Sequence, residues 1–194
     1  MALDDGAVVL PGRGYLFWND TAGAAPPADT QVEIAALDLT AATLPTGWRN
    51  LGHTSRENNV ALGKDGTEGE TKGSWQSSAL RKLADETIWS LTAASLQLSN
   101  DTLDLYFGEG DISDPDVYHV LPSATPMSGA LYLVLVDGSV RVPLYLAKVS
   151  ATSDDAPEFD PTAFLEFSIK MTVLEHNGAA GLMSWYAAGL GTPA

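Results

Sequence analysis

Between Ala163 and Leu174 apolar and polar residues alternate almost without a break. Ala163, Leu165, Phe167, Ile169, Met171 and Val173 hold one parity, and Phe164, Glu166, Ser168, Lys170 and Thr172 the other. Successive side chains of a strand point to opposite faces, so this period of two sets one row on a core and the other on a wet face. A helix, with its period of 3.6, would scatter both sets around its circumference. Short runs of β-branched, aromatic and leucine residues recur through the chain between turn residues, with 18 Gly and 11 Pro among 194 residues. The expected fold is therefore mainly β. Leu131 to Val136 is apolar on both faces, and Asp137-Gly138 is expected to turn it into a returning strand, Val140 to Val149. There Val142, Leu144 and Leu146 face one way and Arg141, Pro143 and Tyr145 the other. Pro143 cannot donate to a ladder, which predicts an edge or a bulge at that point.

Glu86 to Leu98 reads as a long strand whose apolar phase changes, Trp89, Leu91 and Ala93 on one parity and Ala94, Leu96 and Leu98 on the other. A bulge near Ala93-Ala94 would restore one buried face. Ser99 or Asn100 then caps a short α-helix, the one helix expected. Asp101 and Asp104 lie in its first turns, Leu103, Leu105, Tyr106 and Phe107 supply apolar contacts, and Gly108 ends it. Ala7 to Leu10 and Tyr15 to Trp18 suggest two short strands about Gly12 to Gly14. Asn19 to Gly47 reads as a long loop with a brief extended piece at Leu37 and Leu39; so long a loop is functional or ordered by a partner. A second long loop is expected over about residues 53–73, all within a single domain over 1–194.

Ten basic residues against 25 acidic give a net charge of −15. Six of the ten bases fall between residues 46 and 85, whereas residues 86–128 carry seven acids and no base. Affinity for nucleic acid is built from clustered Lys and Arg, so this balance argues against a DNA binder. At 45% hydrophobic residues the chain has enough apolar surface to fold. No run approaches a membrane span, and Met-Ala-Leu-Asp-Asp lacks the look of an export signal. The chain has no cysteine, which fits a reducing cytoplasm.

Catalytic motifs are weak. Gly12-Arg13-Gly14 and Gly108-Glu109-Gly110 read as plain turns rather than phosphate loops. His53, His119 and His176 have no ligand-like spacing. Glu109, Asp111, Asp114 and Asp116 cluster around Pro115 but miss the calcium-loop pattern, so they read as an acidic turn satisfying its own N–H groups. The expectation is a protein with no catalytic residue, no metal and no cofactor.

The order of motifs from residue 48 onward is more specific. Trp48-x-x-Leu51-Gly52-x-Thr54-Ser55 is followed by a polar hairpin with Glu68-Gly69-Glu70, by Trp75-Gln76, by a short Leu80-Arg81 strand, and by Leu103-x-x-Tyr106-Phe107-Gly108. The later turn at Asp137-Gly138, Arg141 in the returning strand, and a long strand ending at Glu175-His176-Asn177-Gly178 complete the series. Over about residues 7 to 187 the chain resembles the major tail tube proteins of long-tailed bacteriophages, those of actinobacterial phages especially. The resemblance implies a β-sandwich or half-barrel protomer of tail-tube type, with one short α-helix and long loops. Six such copies close into a ring, and rings stack into the virion tube through which the genome leaves. It implies no catalysis, no membrane, and partners that are other copies of itself together with tail terminator, tape measure and distal tail proteins. Double-stranded DNA passes through unbound. An immunoglobulin-like C-terminal domain, present in some relatives, is not expected here.

For such a protomer, Glu166, Ser168, Lys170 and Thr172 are the candidates to face the lumen. Tyr132 to Val136 and Val140 to Val149 are candidate strand edges for contacts between copies. The basic segment carrying Arg49, Arg56, Lys64 and Lys72 is the candidate contact to a neighbouring ring, meeting an acidic surface such as 101–116 or 154–160. Trp48 and Trp75 are either its hydrophobic anchors or core side chains. The runner-up is a secreted β-sandwich that binds carbohydrate through its five tryptophans. A carboxylate-dependent hydrolase comes third.

Overall fold

The computed structural model describes residues 8–66, 71–75, 77–82, 87–114 and 116–187. Ala7, Glu68 to Glu70, Gln76, Glu86 and Pro115 of the sequence reading lie outside the described residues, as do the side chains of Lys72, Leu80 and Arg81. The elements run β1 (Arg13–Asn19), α1 (Gln31–Ala36), β2 (Thr43–Leu44), β3 (Trp48–Asn50), β4 (Ala61–Asp65), β5 (Thr71–Ser74) and β6 (Ser77–Lys82). They continue with β7 (Ile88–Ser95), α2 (Asn100–Phe107), β8 (Met127–Asp137), β9 (Val140–Ser153), β10 (Phe167–Val173) and β11 (Ser184–Trp185). Among the described residues nine strands form one antiparallel sheet in the order β2-β3-β1-β8-β9-β10-β7-β4, with β11 added to β9, and β5 and β6 pair only with each other.

The sheet buries one face from β1 across to β7. Leu16 and Trp18 of β1, Leu131 and Leu133 of β8, Leu144, Leu146 and Val149 of β9, the odd residues of β10, and Leu91 and Ala93 of β7 share a core closed by Leu105 and Tyr106 of α2. Only a curled sheet lets its fourth neighbour meet its first, and the chain after β3 draws that curl tight. Leu51 donates its N–H to Leu16 of β1, while Ser55 N–H reaches Ala94 O and His53 O receives Leu96 N–H at the end of β7. The result is an open half-barrel, packed to within a void of about 10 Å³ among Leu16, Ala93, Leu105 and Met171, room for about one water.

Several expectations are corrected. β8 and β9 lie in the middle of the sheet rather than at an edge. Pro143 is tolerated there because its carbonyl accepts Tyr186 N–H. In an antiparallel strand the N–H of a residue points the same way as its C=O, so the missing donor faces the short β11. The bulge falls elsewhere in β9: Gly129 pairs with Val149 and Leu131 with Leu146, so Ala147 and Lys148 together oppose Ala130. β7 has none, pairing with β10 in unbroken register from Ser90 to Ser95. It simply ends at Ser95, leaving Leu98 exposed. β10 begins at Phe167 rather than at Ala163, although Phe164 is exposed as its parity predicts. The hairpin loop is Gly138-Ser139, one residue later than the sequence suggests, with Gly138 at φ 56°, a conformation glycine adopts without steric cost. Val8 to Leu10 form no strand. Part of the expected 53–73 loop is strand, β4 and β5. A second helix, α1, occupies the 19–47 segment.

Candidate assembly surfaces

The opposite face of the sheet is divided in two. Over β1, β8 and the start of β9 it is apolar: Phe17, Ala130, Tyr132 and Val134 pack with Leu39, Leu44 and Trp48. The 19–47 segment covers this half, pinned mainly by side chains of the sheet. Tyr132 Oη donates to Ala28 O at 3.0 Å, Tyr145 Oη to Ala24 O at 2.7 Å and Trp48 Nε1 to Ala25 O at 2.9 Å. Arg141 Nη1 donates to Ile34 O and Leu37 O, at 2.8 and 2.7 Å, where α1 ends. α1 starts with a capping box, Thr30 and Glu33 exchanging hydrogen bonds with each other's backbone. The protein's own sheet thus ties this segment down, and at buried Ala28 the donor satisfies a carbonyl that burial would otherwise leave unpaired.

Beyond the bulge the face turns polar. Register sets Gly63, Ser90, Thr172, Ser150 and Ser128 in one row across β4, β7, β10, β9 and β8. The next row holds Ala61, Thr92, Lys170 and Thr152. Of the sequence candidates, Ser168, Lys170 and Thr172 lie on this face, half-buried among their neighbours, with half-buried Glu166 just before β10. Two of its charges have partners: Lys170 Nζ lies 3.7 Å from Asp65 Oδ2, and Glu166 accepts from Asn58 Nδ2 at 2.6 Å. The surface is mainly a sheet of hydroxyl groups, with Lys148 at the bulge and Glu166, whose partner Asn58 is neutral, as its further charges. Sequence reading missed Ser90, Thr92, Ser128, Ser150, Thr152 and Asp65, because alternation within a strand says nothing of which strands adjoin.

The basic segment is not one unit. Trp48 is fully buried, its ring 5.9 Å from that of Tyr132, so it is a core side chain. Arg49 is engaged within its own chain. Its Nη2 donates to Asp20 Oδ1 at 2.8 Å and its Nε lies 3.1 Å from Asp101 Oδ1, joining the end of β1 to the start of α2. Arg56 is exposed in the turn after Ser55. Lys64 lies on β4, one of the two edge strands of the sheet, with Nζ 5.8 Å from the ring centre of Trp89. Lys72 belongs to β5, and Trp75 stands at the turn of the β5–β6 hairpin with its whole side chain exposed, 103% of the reference.

Asp101, Asp104, Tyr106 and Phe107 lie on α2, capped by Ser99, whose hydroxyl accepts Thr102 N–H. Tyr106 is buried, its Oη donating to Asp155 O at 2.7 Å, and Phe107 stacks edge-on against it. Asp104 accepts from Tyr118 Oη at 2.7 Å and from Gly110 N–H. Burial, and then that bond to a carboxylate, push the Tyr118 phenol well above its ordinary pKa, so it stays a donor. The acidic turn works as its sequence suggests: Asp111 accepts Ser113 N–H and Asp114 accepts Asp116 N–H. A groove of about 460 Å³ between α1 and the β8–β9 turn is lined by Arg13, Tyr15, Asp38 and Arg141, with one carboxylate where glycoside hydrolysis uses two. Of the five tryptophans, Trp18 and Trp48 are buried, Trp75 stands on the separate hairpin, Trp89 is half-buried on β7 and Trp185 is exposed on β11, so they are spread over separate elements rather than aligned along one strand.

Comparison with known proteins agrees with the motif order. The whole chain, residues 1–194, matches a family described as phage tail tube protein. It is 32% identical over 180 residues to the major tail protein Gp23 of Mycobacterium phage D29, covering 91% of this chain and 89% of that protein. The major tail protein Gp23 of Mycobacterium phage L5 matches to the same extent.

Proposed function

The chain belongs to the phage tail tube protein family, a structural component of the virion tail, and from that premise we propose that its hydroxyl face lines the channel through which the genome passes. Family membership implies assembly with copies of itself and contact with other tail proteins. On this reading six copies close into a ring and rings stack into a tube, with no catalytic step. Contacts to a tail terminator, a tape measure and distal tail proteins are part of the same proposal.

The single observation that carries it is the row Gly63, Ser90, Thr172, Ser150 and Ser128. A wall along which DNA slides needs wettable groups and no array of free cations, since clustered Lys and Arg would hold the phosphates. One carboxylate 10 Å from a phosphate repels it by only ~0.4 kcal/mol in water, less in salt. Free carboxylates are therefore dispensable, whereas free lysines on this face would be costly. Lys170 stands 3.7 Å from Asp65, and half-buried Lys148, which shares the parity of Ser150 and Thr152 along β9, sits at the bulge where this flank begins, so the face carries two lysines set apart along the strands rather than an array.

Replacing Ser150 and Thr172 together by lysine tests the reading. Both are half-buried on the hydroxyl face, and long lysine stems reach solvent from such sites. Tails built from the variant should form, and genome release should slow at low salt and recover as salt is raised. Release at the normal rate under all conditions, from tails that carry the variant, would place this face away from the DNA.

A further inference from the structure

We propose that the tip of the β5–β6 hairpin docks on the loop between α2 and β8 of a second copy, with Trp75 seated among Ile112, Val117, Val120 and Leu121. The inference rests on the reading of the chain as a self-assembling tube protomer and assigns the two surfaces that meet.

Trp75 presents a fully exposed indole at the turn of a hairpin whose strands pair only with each other. Fully exposed tryptophan is the kind of anchor that contacts between proteins bury. The receiving loop exposes Ile112 (53%), Val117 (42%), Val120 (52%) and Leu121 (44%) within ten residues. Its two arms are tied to each other and to α2. Asp111 and His119 exchange N–H to carbonyl bonds at 3.1 and 3.0 Å, and Tyr118 ties the loop to Asp104 on α2. A preformed surface loses little freedom on binding.

Charge supplies the match. Residues 71–82 carry Lys72, Arg81 and Lys82 and no acid, and residues 109–121 carry Glu109, Asp111, Asp114 and Asp116 and no base. Opposite potentials select the partner and its orientation. Because the two surfaces differ, each copy offers one and accepts the other, so the contact propagates from copy to copy instead of ending at a pair. The loop carrying Phe159 and Phe164, also acidic and exposed, is the competing seat. Its two rings stand five residues apart, and no strand-like pair like that of Asp111 and His119 folds it back between them.

The chain has no cysteine, so engineered ones report cleanly. Tails assembled from a mixture of Trp75→Cys and Val120→Cys chains should, on mild oxidation, give a disulfide-linked dimer that neither variant gives alone. A Trp75→Cys and Phe159→Cys mixture should give none. A dimer from the second mixture and not the first would overturn the assignment. Charge reversal provides the second measurement. Glu109→Lys with Asp116→Lys, residues whose carboxylates hold no backbone N–H of the loop, should shorten tubes at least tenfold in mean length. Adding Lys72→Glu and Arg81→Glu to the same chain should restore most of it. Tubes unaffected by the acid reversals would also overturn the docking. Failure of the unmodified chain to enter tails at all would instead sink the tube reading, and this inference with it.

Discussion

Arg141 shows how one side chain organises a long segment. Its guanidinium reaches the carbonyls of Ile34 and Leu37, which lie at the end of α1 where helix carbonyls lack partners. Arg141→Ala takes the side-chain donor from both, leaving Ile34 O only the long 3.4 Å bond from Leu37 N–H. It should cost about 2–3 kcal/mol in chemical denaturation and raise hydrogen exchange over residues 31–37 before the rest of the fold responds. Arg49 and Asp20 are a second such device, with a pH signature. The hydrogen bond from Arg49 holds the Asp20 carboxyl below its ordinary pKa, helped by Trp18. A group whose pKa is depressed in the folded state stabilises the fold above its unfolded value, and that contribution is lost as pH falls through the folded one. Asp20 is half exposed, so the effect is of the order of 1 kcal/mol or less. Asp20→Asn should melt slightly below the parent at pH 7, and the difference should vanish well below pH 4.

Among the elements, β8 and β10 are readable from sequence because each solves a local problem. β10 alternates since one of its faces is wet, and β8 does not since both of its faces are covered. α1 is missed although Thr30 and Glu33 spell a capping box, because six residues among alanines and prolines give too short an apolar period to register. Arg141, singled out only by its place in a motif, is what holds that helix. The bulge in β9 and the tolerance of Pro143 depend on which strands adjoin, information that spacing along one chain does not contain. The hydroxyl face is hidden for the same reason: Ser128, Ser150 and Thr172 meet only through register. The β5–β6 hairpin is separable from the sheet. Replacing residues 71–82 by a short Gly-Ser linker should leave thermal unfolding within a few degrees of the parent while abolishing incorporation into tails. A collapse of the fold would show that the hairpin belongs to the core.

At the scale of the whole molecule the half-barrel has a covered flank, a hydroxyl flank and two edge strands, the two-residue β2 and, next to the hydroxyl flank, the five-residue β4. An exposed edge of five residues is a liability for a protein meant to remain alone, and is useful to one that finishes by meeting its neighbours. The charge distribution fits the same purpose, with six of the ten bases between residues 46 and 85 and 20 of the 25 acids outside that segment. The central claim is about orientation, and electron cryo-microscopy of an assembled tail reads it directly. The account predicts a six-fold ring in which Ser128, Ser150, Lys170 and Thr172 border the bore, with α1 and the 19–47 segment turned away from it. A bore bordered by α1, or by α2 and its acidic loop, would contradict it.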